Sequence, residues 1–362
     1  MNDEPITYKQ GITLIILSVL SSYLIFVPGL QAGKDVWAAY TIALLCALPF
    51  LKIHDSYLSL YPGKDIFDIL KSNFGGLIGG GISILYILFA FSLGALLLED
   101  FAEVIVTAGI PETPRLFVVL TLILLCILIC KYGLNIMAKW SELAVIVMLV
   151  SVIVVVLLLT KDMKLNNLKP VLQSDVSKIL NGALTYLTFP IGDVFIFSMI
   201  FTSFSGKGKK RVYTTGVFIV FLFTIVTALT VILVGGPSII VTTYFAFFKV
   251  IQRMNIGNFI QRGEILILLA FIIGGVIEIS MCLLAVCKGI GKLFNFKDYK
   301  FLVTPVGFIM VNTYILNFKN AMEFIEWDIN VGPYYFFLLQ YIIPTFVFIG
   351  LLIKRKLLGK KV

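Results

Sequence analysis

Apolar and polar positions alternate along the chain in long blocks, not with the short periods of a soluble helix or strand. Ten mainly apolar blocks follow one another, and most have the roughly 20 residues that a membrane-spanning helix needs. They cover 11–30, 36–53, 75–98, 116–130, 141–160, 179–201, 212–234, 265–287, 301–316 and 334–353. The pattern predicts an all-α integral membrane protein with ten transmembrane helices.

One further apolar stretch, 238–251, is bracketed by Gly235-Gly236-Pro237 and by Arg253 and Gly257. It is too short for an ordinary crossing. We therefore expect an external re-entrant or surface segment at about 237–258.

The composition excludes a water-soluble globule and indicates one membrane domain over 1–362. Of all residues, 59% are hydrophobic and 14% are charged, and the mean hydropathy is +1.02. The five cysteines lie inside or at the ends of apolar blocks, where they behave as small hydrophobic residues. Cys126 and Cys130 share a helix face, but they lack histidine or carboxylate partners, so we predict neither a metal site nor a cofactor.

The net charge of +9 is explained by membrane topology, because the basic residues lie in short runs between apolar blocks. With the N-terminus inside, ten spans place 19 of the 29 Lys and Arg on the cytoplasmic side, as the positive-inside rule requires. Both termini are then cytoplasmic. One external loop, 161–178, is discordant because it carries four lysines.

The first and the sixth blocks both contain residues that interrupt a helix. Because these blocks lie five apart, they predict a 5+5 inverted repeat with broken helices 1 and 6. The two repeats cover about 7–160 and 178–353. In secondary transporters built on this plan, the binding site lies at the broken helices.

The sixth block reads Thr-Phe-Pro-Ile-Gly-Asp at 188–193. Pro190 has no amide hydrogen, so the carbonyl of Tyr186 loses its helical partner, and Gly192 tolerates dihedrals that other residues resist. A freed carbonyl in lipid is costly unless protein, water or ligand meets it. We expect a ligand-binding segment here, and an ordinary proline kink is the alternative. Its residues are Thr188, Phe189, Pro190, Gly192 and Asp193.

The first block is interrupted more weakly, by serines and a tyrosine in its middle and by Pro28-Gly29 near its outer end. We expect Ser21, Ser22 and Tyr23 to contact the ligand across from the sixth span. The alternative is a packing face in which these serines and Ser18 contact a neighbouring helix.

Two acids lie within predicted spans, where a carboxylate costs at least ~2.5 kcal/mol. Asp193 follows the break of the sixth span, and Glu278 lies at the centre of the eighth. Each either holds a ligand ammonium or cation, carries a proton, or is a paired structural acid. Tyr86, midway along the third span, presents its hydroxyl to the same cavity or serves in packing.

No catalytic constellation is present in the sequence, so an enzyme is not predicted. The sole histidine, His54, follows the second apolar block beside Asp55. This position predicts a solvated histidine in a cytoplasmic loop.

Short motifs in a fixed order connect the chain to a known family. They lie at 6–10, 61–64, 85–88, 111–114, 132–134, 140–143, 168–172, 288–289 and 296–299. Through them the chain resembles the B-subunit family of bacterial spore germinant receptors, the GerAB type, within the amino acid–polyamine–organocation superfamily. The family often has glycines where this chain has Ser21 and Tyr23, and it tends to read Leu-Gly-Phe-Glu where this chain has 190–193.

The resemblance implies a fold like that of the sodium-coupled amino acid transporter LeuT. It also implies an A-type membrane subunit and a C-type lipoprotein as partners, and a location in the inner membrane of the spore. The chain would then receive a small nutrient germinant, commonly an amino acid, and signal to those partners. The rival hypothesis is an autonomous proton-coupled amino acid permease, since both functions use one fold. A structural subunit with an empty cavity is a third.

The topology prediction can be checked by labelling a single cysteine. In a chain without its five native cysteines, Gly208→Cys should be inaccessible to an impermeant maleimide from outside, because the 206–211 loop is predicted to be cytoplasmic. A cysteine at 34, in the predicted external loop 31–35, is the matched control. Labelling at 208 from outside would reverse the orientation.

Overall fold

The computed structural model describes residues 5–24, 27–202, 204–205, 211–236, 245–252, 264–317 and 321–357, and these residues are mainly helical. The helices are α1 (Tyr8–Tyr23), α2 (Val36–Leu60), α3 (Ile66–Val104), α4 (Arg115–Tyr132), α5 (Leu134–Leu159), α6 (Val176–Thr188), α7 (Val212–Thr230), α8 (Ala246–Gln252), α9 (Glu264–Leu293), α10 (Lys300–Asn317), α11 (Ala321–Asn330), α12 (Gly332–Phe337) and α13 (Ile343–Leu357). A parallel pair joins strands β1 (Ile6–Thr7) and β2 (Phe204–Ser205).

Tighter and wider helical turns fill several connections. The 3₁₀ segments are Leu30–Asp35, Thr160–Asp162, Leu165–Leu168 and Ile191–Met199, and the π-turns are Ile105–Gly109, Val231–Gly235 and Leu338–Ile342. The last π-turn joins α12 to α13, so Gly332–Leu357 forms one long helical unit.

In the described part of the chain, eight helices are long and apolar enough to cross a membrane. Helix α1 has 16 residues, and the apolar part of α10 covers Lys300–Thr313, so both are shorter than these eight. The predicted all-helical membrane architecture is confirmed, whereas the count of ten spans and the inverted repeat stay predictions.

Local sequence explains several helix boundaries. Helix α1 begins at a capping box, in which Thr7 and Gln10 satisfy each other's backbone amides. Gly133 alone separates α4 from α5, and its φ of +91° is a conformation that favours glycine. Helix α3 kinks at Gly75, where φ is +76°.

Two groups of helices pack against each other around the centre of the molecule. In the first group, α7 packs against α1 and α2, and α2 packs against α6; α3, α4, α9 and α10 form the second group. Helix α5 packs against α1 and α9. Near one end of the second group, the Lys292 ammonium lies 2.7 Å from the Asp65 carboxylate and also pairs with Asp68, which joins α9 to the start of α3.

The prediction for His54 was wrong, because α2 continues past the apolar block as far as Leu60. His54 is buried, and its Nδ1 lies 3.1 Å from the Ser198 hydroxyl. Its neighbour Asp55 accepts hydrogen bonds from the backbone amides of Tyr213 and Thr214, at 3.1 and 3.2 Å. The polar end of α2 therefore packs against α7 and satisfies the first amides of that helix.

Two predicted segments lie largely outside the described residues. Of the external segment 237–258, the structure describes only 245–252, which contains α8. Of the loop 206–211, it describes only Arg211.

Candidate functional site

The sixth predicted span changes its backbone conformation at Phe189. Helix α6 ends at Thr188, Phe189 is extended with φ −136° and ψ 120°, and a 3₁₀ segment follows Pro190. The Tyr341 hydroxyl donates a hydrogen bond to the Leu187 carbonyl at 2.6 Å. A side chain from a distant helix therefore satisfies a backbone acceptor at the end of α6, as burial requires.

Position 192 has no room for a side chain, because the Gln340 amide occupies the space where a Cβ would lie. Its backbone is not in the left-handed region, contrary to the reason that the sequence suggested for it. A Cβ on Gly192 would lie 2.0 Å from Oε1 and 2.5 Å from Cδ of Gln340. Gln340 is 1% exposed, and its Nε2 donates to Oδ1 of Asp193 at 2.9 Å. The absence of a side chain at 192 lets this amide reach the acid.

The serines of α1 contact the acid of α9. The hydroxyls of Ser21 and Ser22 both donate to Oε2 of Glu278, the former at 3.2 Å. Ser21 also reaches the Ser18 carbonyl at 2.7 Å. Gly274 allows the two helices to approach, since a Cβ there would lie 2.3 Å from that of Ser21. The serines therefore contact a neighbouring helix, as the packing alternative predicts, and their contact with a ligand stays a prediction.

The second carboxylate oxygen of Glu278 takes no part in the contact with the serines. Glu278 is 4% exposed, and its Oε1 has no hydrogen-bond partner among the described residues. The Ser18 hydroxyl is likewise buried, and within the same residues it has no partner. Buried polar atoms without partners are rare, and they mark places where a ligand, ion or water fits.

A small cavity brings these groups together between α1, α3, α9 and the 3₁₀ segment Ile191–Met199. Its volume is about 10 Å³, measured as the space open to the centre of a water molecule, which is room for about one water. The lining residues are Ser18, Val19, Leu93, Asp193, Ile196, Phe197, Glu278, Met281 and Cys282. Two acids and one hydroxyl thus line this space, and none of its lining residues in the described part of the chain is basic.

The remaining predicted site residues do not line this cavity. Thr188 bonds to the Leu184 carbonyl of its own helix at 2.9 Å. The ring of Tyr86 packs edge-on against Phe195 at 4.7 Å, and its buried hydroxyl has no hydrogen-bond partner in the described part of the chain. Phe189 and Pro190 form the backbone turn.

Tyr23 belongs to a buried aromatic cluster. Its hydroxyl donates to the Thr224 carbonyl at 2.8 Å. Tyr40 and Tyr186 stack at 3.7 Å between ring centroids, and the Tyr40 hydroxyl donates to the Pro28 carbonyl at 2.8 Å. These contacts join α1, which lines the cavity, to α2, α6 and α7.

Sequence reasoning missed Gln340, Tyr341 and the aromatic partners Tyr40 and Tyr186. The sequence did indicate a functional role for Gln340, because it is the only side-chain amide in the apolar block 334–353. Nothing in the sequence indicated the roles of the three tyrosines, since their partners are distant in sequence.

Comparison with known proteins gives the family. A family model for spore germination proteins, Spore_permease, matches residues 5–322. The chain belongs to this family. It is 28% identical to Spore germination protein KB of Bacillus subtilis (strain 168), over 98% of this chain and 97% of that protein. It is 22% identical to the Putative spore germination protein YfkT of the same organism, over 91% of this chain and 89% of the relative.

The fold of this Spore_permease chain is that of a transporter. A solved structure of a Na⁺-coupled sialic acid symporter, in a substrate-bound outward-open state, aligns with a TM-score of 0.64. The alignment covers 92% of this chain and 78% of the symporter, with 12% sequence identity. Its apolar helices and its family together show that the chain is an integral membrane protein.

The cavity of this family member can be closed by a single side chain. Ser18→Leu should fill it, because the cavity has room for about one water molecule. We expect the nutrient concentration that half-saturates germination, measured by loss of optical density of spores, to rise by about 10-fold or more.

Ser18→Ala, which keeps the space and removes only the hydroxyl, is the matched control and should retain most of the response. Immunoblots of spore membranes must show equal amounts of both variants. An unchanged dose response in Ser18→Leu spores would show that this cavity is not used.

Proposed function

We propose that the chain is the germinant-binding subunit of a spore germination receptor. The single observation that supports this most strongly is the cavity between the two helix groups, with Asp193 on one wall and Glu278 on the other. A transporter fold with its acids at the interface of two helix groups is suited to bind a small solute and to change shape when it does so. The names of the relatives supply the biological setting.

The chemistry of the cavity favours an amino acid. A ligand ammonium would meet the unpaired Oε1 of Glu278 in a cavity that Asp193 also lines. The backbone amides that begin the 3₁₀ segment Ile191–Met199 suit a ligand carboxylate. A zwitterion therefore matches both sides of the site, whereas an anion without an ammonium would leave Oε1 of Glu278 without a partner among the described residues.

The described conformation is closed, since the cavity is smaller than any amino acid. The nutrient must therefore separate α1 from α9, and the hydrogen bonds of Ser21 and Ser22 to Glu278 must break or rearrange. A ligand shifts a conformational equilibrium only by its differential affinity for the two states. Here the ligand would have a higher affinity for the open state, because in that state its own contacts replace the hydrogen bonds of the two serines to Glu278.

The finer architecture belongs to the same proposal. We infer ten spans in a LeuT-like 5+5 inverted repeat, with broken helices 1 and 6 and cytoplasmic termini. The conformational change is passed to an A-type membrane subunit and a C-type lipoprotein in the inner membrane of the spore. The lengths of α1 and α6, each ending near mid-span, and the structural likeness to a symporter support this arrangement.

A proton-coupled permease is the second candidate, and one specific observation favours it. Glu278 is buried at the interface of two helix groups that would move, and it has one oxygen without a partner. An acid in this position suits a proton carrier. The two candidates differ in whether the chain alone accumulates its ligand.

Glu278→Gln separates the two functions, because it keeps the shape of the side chain and removes its titration. Spores are exposed in turn to each of the twenty L-amino acids. If the chain is a sensor, we expect Glu278→Gln to shift the half-saturating concentration of those that trigger germination, relative to wild-type spores. Reconstituted liposomes should show no proton-gradient-driven accumulation of any of them, with either the wild type or the variant.

Glu142→Gln is the matched control, since Glu142 lies outside the cavity and faces Lys9 at 3.9 Å. Gradient-driven accumulation by the wild-type chain alone, lost in Glu278→Gln and kept in Glu142→Gln, would establish the permease instead. Identical responses of wild-type and Glu278→Gln spores to all twenty amino acids would remove Glu278 from the site.

A further inference from the structure

Helical unit Gly332–Leu357 presents two adjacent polar side chains to the interruption in the sixth span. They lie in the π-turn Leu338–Ile342, where the Ile343 amide bonds to the Leu338 carbonyl five residues back. Tyr341 donates to the Leu187 carbonyl at the end of α6. Gln340 donates to Asp193, beyond the interruption. Single π-turns inside α-helices are frequent at functional sites.

Both side chains are fixed by close packing. The Tyr341 ring stacks on Phe337 at 5.4 Å and meets Phe50 edge-on at 4.7 Å, which leaves it 3% exposed. Gln340 lies against Gly192, where any Cβ would overlap its amide group. This packing holds each side chain in the rotamer that makes its hydrogen bond.

We propose that Gln340 is a positioning residue that sets the direction of the Asp193 carboxylate at the cavity, and that Tyr341 holds the other side of the interruption. This inference rests on the proposed function and assigns a role to a helix that does not line the cavity. An amide suits this role, because its N–H group holds one carboxylate oxygen without neutralising the charge that a ligand ammonium needs.

The geometry explains why position 192 is a glycine. The Gln340 amide reaches the neighbouring Asp193 past the backbone of 192, and a methyl group there would displace it. Gly192 and Gln340 therefore act as one unit, and substitutions at the two positions should not be additive.

A double-mutant cycle tests the contact itself. Gly192→Ala should lower the thermal unfolding midpoint of the purified chain in detergent, because the new methyl overlaps Gln340. The same substitution should have little further effect in a Gln340→Ala background, where the space is free. Equal decreases in both backgrounds would overturn the contact.

Dose responses of spores to the twenty L-amino acids test the positioning role. Gln340→Leu removes a hydrogen bond to a carboxylate, so the half-saturating concentration should rise about 10- to 100-fold while the maximal rate is retained. Gln340→Asn, which keeps the amide on a shorter side chain, should restore part of that sensitivity. Thr230→Val is the matched control, because the buried hydroxyl of Thr230 bonds only to the Val226 carbonyl in the described residues.

The outcomes distinguish this inference from the proposed function. Wild-type spores that respond to none of the amino acids would overturn the proposed function, and the unfolding cycle would still decide whether Gly192 and Gln340 interact. Wild-type spores that respond, with Gln340→Leu spores matching Thr230→Val spores in half-saturating concentration, would overturn the positioning role alone.

Discussion

A helix can be interrupted inside a bilayer only where protein groups, water or a ligand replace its lost hydrogen bonds. In this chain the interruption at Phe189 and Pro190 is supported from the helical unit Gly332–Leu357, through Tyr341 on one side and Gln340 on the other. The small size of residue 192 makes room for that support. The position of Asp193 at the cavity depends on this arrangement, and so does the chemistry that we assign to the cavity.

The second requirement is that the two walls of the cavity can move as units. Hydrogen bonds among Tyr23, Tyr40 and Pro28, and the stacking of Tyr40 on Tyr186, join the helices of one group. In the other group, thiol hydrogens of α4 reach carbonyl oxygens of α9, with Cys130 Sγ 3.1 Å from the Ser280 oxygen. At the cavity, the hydroxyls of Ser21 and Ser22 on Glu278 form a polar link between the groups. Helix groups that are bonded internally in this way are suited to rigid-body motion.

The sequence was informative where the cause of a feature is local. The apolar blocks predict membrane helices, Pro190 indicates where α6 ends, and Asp193 and Glu278 are the acids that line the cavity. It failed where the cause is a distant contact. Gln340 meets a residue 147 positions away, and His54 is buried because a helix extends past its apolar block to meet Ser198. Gly192 was singled out for its backbone freedom, yet its role is to leave space for a side chain from another helix.

Native Cys282 offers the most direct test of the claim that a nutrient enters this cavity, because it lines the cavity and is buried. The measurement is the rate at which N-ethylmaleimide alkylates each cysteine of the purified chain, followed by mass spectrometry, with exposed Cys46 and the buried Cys287 as internal references. We expect slow alkylation of Cys282 through transient opening, and a saturable decrease in that rate with any amino acid that triggers germination, while the rates of Cys46 and Cys287 stay constant. A Cys282 rate that is unaffected by every germination-active amino acid would contradict the account.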